Sequence, residues 1–392
     1  MPIKIVNICE LFEELSKIGV DERAFPIFSE KANLLLLKIY DIDSRAATIL
    51  KQEFLSTGGD VAVHKDVIKF ERDTTSALLI GSMRTYNEVL RKLEYQPFFG
   101  LDSIRNELKE AILTLKEEST QKNIYKTPKI MGILNVSPDS FYGGSALLDE
   151  SSAITRAEEM IEEGADILDI GGESTRPGSL PLTEEEELNR VIPVISSIRK
   201  RFKDIPISVD TYKVKVAKET IEAGATTLNI INLTEEMIEF LFDTELPFIF
   251  MHMRGTPKDM QNYTDYNDVV KEILFYFEEK INYLEKRGIK RERIIIDPGI
   301  GFAKTAKQNF EILRSLKAFK IFGLPLLIGH SRKSFLGKVL NGLSPEERLP
   351  GTLAVTAYAA MNGADIIRVH DVKENIEVLK VIKEIHLCQE LI

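Results

Sequence analysis

The feature that most constrains this chain is a rhythm that begins at Lys129. Short apolar runs of strand length alternate from there with longer segments of helical period. The runs are Ile130–Val136, Asp166–Ile170, Ile207–Asp210, Thr227–Ile231, Phe248–His252, Ile294–Asp297, Leu326–Gly329 and Ile366–His370. Between them lie amphipathic segments. Thr183–Arg201 opens with Thr183 and Glu186 in capping-box spacing, and Asp268–Lys286 carries Val269, Ile273, Phe277 and Leu284 on one face. A strand–helix unit repeated eight times over about 260 residues predicts a (β/α)8 TIM barrel, with a doubly wound open sheet as the alternative. In both, function collects in the loops after the strands.

Polar residues stand at every one of those strand ends. After the first run come Asn135, Ser137, Asp139 and Phe141; after the second, Glu173, Ser174, Thr175 and Arg176. The third ends in Asp210, the fourth carries Asn229 and Asn232, and the fifth ends in His252 and Arg254. The sixth leads from Asp297 into Pro298-Gly-Ile-Gly-Phe302, the seventh into His330, Arg332 and Lys333, and the eighth into Arg368, His370 and Asp371. A single Asp or Asn here would be an ordinary helix cap. Inward-facing charges gathered at one barrel mouth need each other or a ligand.

Residues 1–122 follow another pattern and are expected to form a small α/β domain. Asn33–Tyr40, Asp60–His64, Val67–Phe70 and Ala77–Ile80 read as strands, and Asp43–Leu55, Arg84–Leu93 and Leu101–Leu115 as helices. This stretch has no glycine-rich phosphate loop and no cluster of catalytic residue types, so no chemistry is assigned to it. Glu117–Pro128, polar, charged and closed by proline, reads as a linker, and the barrel domain is placed at 123–392.

With 392 residues, 44% of them apolar and 29% charged, the chain has the composition of a globular protein. Its net charge of −10 disfavours nucleic-acid partners, so an anionic substrate must be met by a local cluster of Arg, Lys and His. Cys9 and Cys388 have no metal-ligand spacing and suggest a reducing compartment. No run of about 18 uncharged apolar residues occurs, so no membrane partner is expected and the cytoplasm is the expected location.

The mouth residues divide into two kinds. Arg176, Arg368 and His370, with Asn135 as an oxygen ligand for a hard cation, suit a diphosphate and Mg2+. Asp210, Asn229, Asp297 and Lys333 suit a flat heterocycle such as a pterin: carboxylates accept from ring N–H and amino groups, and an ammonium donates to a ring carbonyl. No Ser-His-Asp order and no zinc constellation stands out.

Met131-Gly-Ile-Leu-Asn-Val-Ser-Pro-Asp-Ser-Phe141, Gly171-Gly-Glu-Ser-Thr-Arg-Pro-Gly178 and Asp297-Pro-Gly-Ile-Gly-Phe302 resemble the signatures of the dihydropteroate synthases. So do Met251-His-Met-Arg-Gly-Thr-Pro257, Ser331-Arg-Lys-Ser-Phe-Leu-Gly337 and Arg368-Val-His-Asp371. The likeness runs over residues 129–386 in order. It implies a transferase of folate biosynthesis that joins 6-hydroxymethyl-7,8-dihydropterin diphosphate to p-aminobenzoate. By motif position it implies Asn135 on Mg2+, Arg176, Arg368 and His370 on the diphosphate, and Asp210, Asn229, Asp297 and Lys333 on the pterin. Thr175, Pro177, Phe141, Phe302 and Ser334 would form the p-aminobenzoate side, and loops 137–149 and 174–182 would close over the substrates. Of these, Asp210, Arg176 and Lys333 are the expected catalytic groups. The resemblance also suggests a homodimer through helices late in the barrel.

Two positions depart from the family pattern: Ile230 stands where Asp is usual, and His330 where a small or apolar residue is common. The rival readings are a pterin-dependent methyltransferase on the same barrel, a non-catalytic pterin-binding protein, and, third, a synthase that takes a modified arylamine instead of p-aminobenzoate. The first needs no diphosphate pocket, and the second could lose Asn135 and Thr175.

Overall fold

In the computed structural model the described residues are 3, 6, 11–69, 71–120, 126–136, 150–173 and 181–387. The chain divides into two compact units, residues 1–124 with 386–392, and residues 125–385.

In the first unit, β1 (Leu34–Asp43), β2 (Asp60–Val63) and β3 (Thr74–Ser82) form an antiparallel sheet in the order β1-β3-β2. Helices Ser44–Ser56, Met83–Leu93 and Leu101–Thr120 enclose a core built on Ala47, Leu50, Phe54, Val61, Leu79, Tyr86 and Leu101. Asp43 caps the first of these helices by accepting from the Arg45 N–H at 2.8 Å. Tyr86 buries its ring against Phe54, with centroids 5.1 Å apart, and its hydroxyl donates to the Leu79 carbonyl at 3.1 Å. Short helices at Leu11–Ile18 and Phe25–Ala32 precede this sheet.

Two expectations are corrected in this unit. Residues 65–69 form a turn rather than a strand, closed by the Val67 N–H on the His64 carbonyl, and Phe70 lies outside the described residues. The stretch expected to begin a linker at Glu117 is still helical through Thr120.

The second unit is a closed barrel of eight parallel strands. They are β4 (Lys129–Asn135), β5 (Ile167–Gly171), β6 (Ile207–Asp210), β7 (Thr227–Ile230), β8 (Phe248–Met251), β9 (Ile294–Asp297), β10 (Leu327–Gly329) and β11 (Ile366–Val369). The hydrogen-bonded order is β10-β11-β4-β5-β6-β7-β8-β9. Closure between β9 and β10 is made by the Ile296–Leu326 bridge and by the Ile296 N–H on the Pro325 carbonyl at 3.0 Å.

Period two sorts the strand side chains. One set, including Leu168, Ile170, Val209, Leu228, Phe250 and Ile328, packs outward among helix residues such as Val191, Ile195, Ile273 and Phe277. The other set points into the barrel. Its lower layer is apolar, made by Met131, Ile167, Ile249, Leu327 and Ile366 with Ile295. One inward position further along, β5, β9, β10 and β11 carry Asp169, Asp297, Gly329 and Arg368, and β7 carries Asn229 on its inward face.

Candidate active site

Arg368, from β11, crosses the barrel mouth and joins two carboxylates. Its Nε donates to Asp169 Oδ2 at 2.6 Å and its Nη2 to Asp210 Oδ2 at 2.9 Å. Asn229, on β7, donates through Nδ2 to the same Asp169 oxygen at 3.1 Å. Four strands are thereby tied across the top of the barrel. Among the described residues, Asp169 Oδ1 and Asp210 Oδ1 are buried without a hydrogen-bond partner, which costs free energy; at Asp210, which stands at the mouth, a ligand's donor can offset it.

On the β9 side, Asp297 Oδ1 accepts the Gly299 N–H at 2.8 Å. Gly299 has φ +72°, and a Cβ there would lie 2.1 Å from the His252 carbonyl oxygen, so the turn after Asp297 requires glycine. Lys333 lies over the Phe302 ring, Nζ to centroid 4.5 Å, and donates to the Ile300 carbonyl. A Cβ at Gly329 would stand 3.8 Å from both Lys333 Nζ and Arg368 Cδ, so the bare strand end leaves these cations open space. Lys333 follows Arg332, a non-glycine residue in the left-handed region at φ 55°. Arg332 is fixed there by its N–H on Thr352 Oγ1 at 3.0 Å and by a two-pronged pair with Asp371 at 2.6 and 2.8 Å.

Burial shifts these groups' protonation. It pushes the Asp210 carboxyl up to about 7, against the pull of Arg368 and with the push of Asp169. Asp297 is raised by burial and restrained by Lys333. The Lys333 ammonium is pushed down to about 8 by burial, with Asp297 opposing. Burial also works against the Arg368 charge, but Asp169 and Asp210 hold its guanidinium above the ordinary value.

Of the residues expected at the site, Asp210, Asn229, Asp297, Lys333 and Arg368 converge on the mouth, with Phe302 under the Lys333 ammonium. Asn135 ends β4 beside them: a Cβ on Gly171 would lie 3.6 Å from Asp210 Cβ and 3.8 Å from Asn135 Oδ1. His370 follows β11 with Nδ1 3.0 Å from Ser331 Oγ. Ser334 is exposed and opens helix Ser334–Val339. Phe141, Thr175, Arg176 and Pro177 lie outside the described residues. Arg254 packs at 3.8 Å over the Tyr266 ring and pairs with Glu272. His330 is fully buried, with Nε2 2.9 Å from Thr356 Oγ1 and 3.0 Å from the Thr352 carbonyl, and burial pushes its pKa down to about 4; its place is structural.

Two residues were not singled out from sequence. Asp169 could have been found by parity, because it shares the inward face of β5 with Gly171. Lys304 is buried and donates to the Phe302 carbonyl at 2.8 Å and the His252 carbonyl at 3.3 Å, tying the loop after β9 to the end of β8. A lysine in a loop gives no such signal. Burial pushes its ammonium down to about 7.

Comparison with known proteins agrees with this geometry. The family described as pterin binding enzyme matches residues 131–370. The dihydropteroate synthase of Escherichia coli is 48% identical over 258 residues, 65% of this chain and 91% of that protein. The chain belongs to the dihydropteroate synthase family. A Helicobacter pylori member, named a bifunctional dihydropteroate synthase/dihydropteroate reductase, is 34% identical over 390 residues, 98% of this chain and 99% of its own. Among solved members, the Xanthomonas albilineans dihydropteroate synthase in complex with 7,8-dihydropteroate superposes with a TM-score of 0.60 at 36% identity, covering 67% of this chain and 94% of that one. No helix among the described residues is long and apolar enough to cross a membrane.

Proposed function

We propose that this chain condenses 6-hydroxymethyl-7,8-dihydropterin diphosphate with p-aminobenzoate, forming 7,8-dihydropteroate and diphosphate for folate synthesis. The observation that carries the reading is the cluster at the barrel mouth. There, buried acceptors on Asp210 and Asp297 stand beside the Lys333 ammonium and the Arg368 guanidinium. The two carboxylates and Asn229 would take the N–H edge of the pterin, Lys333 would donate to its carbonyl, and Phe302 would flank the arylamine with Ser334.

The C–O bond at the pterin methylene breaks, its electron pair leaves with diphosphate, and the arylamine nitrogen attacks the methylene carbon and then loses a proton. Arg368, Arg176 and His370 would absorb charge growing on the diphosphate. Asp210 would steady the cation delocalised over the ring. No protein nucleophile is needed. For Mg2+ the fit is narrow: the described residues hold no group of three or more His, Cys, Asp or Glu that could bind a metal, and Asn135 offers one amide oxygen. That suits an ion carried in with the diphosphate oxygens, which would neutralise charge on the leaving group. A homodimer is supported by Tyr358 and Met361 on helix Leu349–Met361, and Val381 and Ile385 on helix Val372–Leu387, which remain exposed.

The test is turnover: purified protein with Mg2+, pterin diphosphate and p-aminobenzoate should release diphosphate and form dihydropteroate. Pterin binding without turnover favours the non-catalytic reading. A second reading is favoured by the H. pylori match, which runs through the first 124 residues as well as the barrel. It is that the whole chain also reduces the ring C=N bond of dihydropteroate, taking a hydride to carbon from a nicotinamide or reduced flavin and a proton to nitrogen from solvent. Incubating the product with each donor should yield tetrahydropteroate, and no consumption of either donor rejects it.

A further inference from the structure

We infer that Asp169 is a positioning residue that couples the pterin and diphosphate halves of the site by holding Arg368 and Asn229 on a single carboxylate oxygen. The inference rests on the proposed reading, in which Asn229 serves the pterin and Arg368 the diphosphate.

Asp169 is fully buried within the barrel. In the strand register it lies level with Ser208, one inward position below Asp210, so Asp210 rather than Asp169 meets a ligand at the mouth. Its effect must therefore pass through its partners. Those are Arg368 Nε at 2.6 Å and Asn229 Nδ2 at 3.1 Å, both on Oδ2. The partners come from β11 and β7, on opposite sides of β5 in the barrel, and in this structure no other described side chain bonds to both.

A buried carboxylate is a costly way to fill a barrel; an apolar side chain of that size would be cheaper for stability alone. What the carboxylate adds is direction. It fixes the Nε edge of the guanidinium, Asp210 fixes one Nη2 hydrogen, and the remaining donors are left in one orientation. The same oxygen orients the Asn229 amide and so its carbonyl, the atom left to accept from a ligand. A ligand that draws on Arg368 changes the hold on Asp169 and thereby on Asn229. Whichever fragment binds first sets the shared carboxylate, and the second then pays less to order it. By linkage the effect is reciprocal.

The experiment measures calorimetric affinities of the intact protein for 6-hydroxymethylpterin, for Mg2+-diphosphate, and for each in the presence of saturating amounts of the other. In wild type, each fragment should tighten the other about tenfold. In Asp169→Asn, which keeps the shape but not the charge, that ratio should fall to within about twofold. A purely structural role would lower the melting temperature and leave the ratio intact, which overturns the inference. A second measurement needs no variant: in the wild-type nuclear magnetic resonance spectrum, diphosphate alone should shift the Asn229 side-chain amide, and an unmoved resonance overturns the inference even if Asp169→Asn does not fold. A wild type that binds neither fragment overturns the proposed function and the inference together. One that binds both while the variant's ratio is unchanged overturns only the inference.

Discussion

Replacing Asp210 by Asn should stabilise the fold in a pH-dependent way while disabling the site. Asp210 is buried, and its carboxyl is raised from 3.8 to about 7. Between those values the folded chain keeps a proton that the unfolded chain has lost, so the folded state binds more protons and stability falls as pH rises. The fall begins near the unfolded pKa and is complete once pH passes the folded one. A rise of about 3 units corresponds to about 4 kcal/mol, at about 1.4 kcal/mol per unit. Asp210→Asn has no such group. Its stability advantage should be near zero at about pH 4, grow up to pH 7 and be flat above. The 4 kcal/mol is an upper bound, because the variant leaves Arg368 with Asp169 as its remaining carboxylate partner. Equilibrium urea denaturation of both proteins, from about pH 5 to about pH 9, reads the difference directly. A difference that does not change with pH, or that shrinks between pH 5 and 7, would refute burial as the source of the Asp210 shift. Dihydropteroate formation should fall by at least about a hundredfold in the same variant, because the anion expected to steady the pterin cation is gone.

Asp297→Ala should abolish binding of 6-hydroxymethylpterin, whereas Arg368→Ala should chiefly weaken Mg2+-diphosphate; equal loss of the diphosphate-free pterin in both variants would contradict the division of the mouth into two pockets. Lys333, with its ammonium pushed down to about 8, should lose its proton as pH rises through that value, so pterin affinity measured by calorimetry should decline above pH 8 in wild type but not in Lys333→Met. Gly299→Ala should cost about 2 kcal/mol or more in a melting assay, since the new Cβ would meet the His252 carbonyl at 2.1 Å with φ at +72°. Gly171→Ala has nothing nearer than 3.6 Å and should fold normally while losing activity, because its methyl would occupy the space between Asp210 and Asn135.

The barrel was legible because its strands are short runs largely buried on both faces, with a polar residue at or soon after the end of each. Ile207–Asp210 and Ile294–Asp297 were read with the observed bounds for that reason. Val67–Phe70 reads as a strand, although residues 65–69 form a turn, because three apolar residues in a window of four carry no period that separates strand from turn. At the site, strand ends pointed to Asp210, Asn229, Asp297 and Arg368, since a polar group at the mouth interrupts an apolar run. Asp169 sits inside its run, where a carboxylate resembles a simple interruption, and its meaning depends on a partner 199 residues away.

That separation marks where sequence reading stops. Periodicity gives each strand its inward face and so the list of side chains that enter the barrel. Which of them pair is decided by ring closure, when β11 comes to lie beside β4 and Arg368 can reach across to β5 and β6. Before closure Arg368 is one cation at the end of one strand, and it could have been given wholly to an anionic substrate. After closure two of its donor nitrogens belong to Asp169 and Asp210, and any anionic ligand must compete with carboxylates that are themselves buried. The acidic chain thus holds the arginine proposed for the diphosphate in a neutralised, oriented state, and releasing it from Asp210 alters the charge environment of the carboxylate expected to face the pterin.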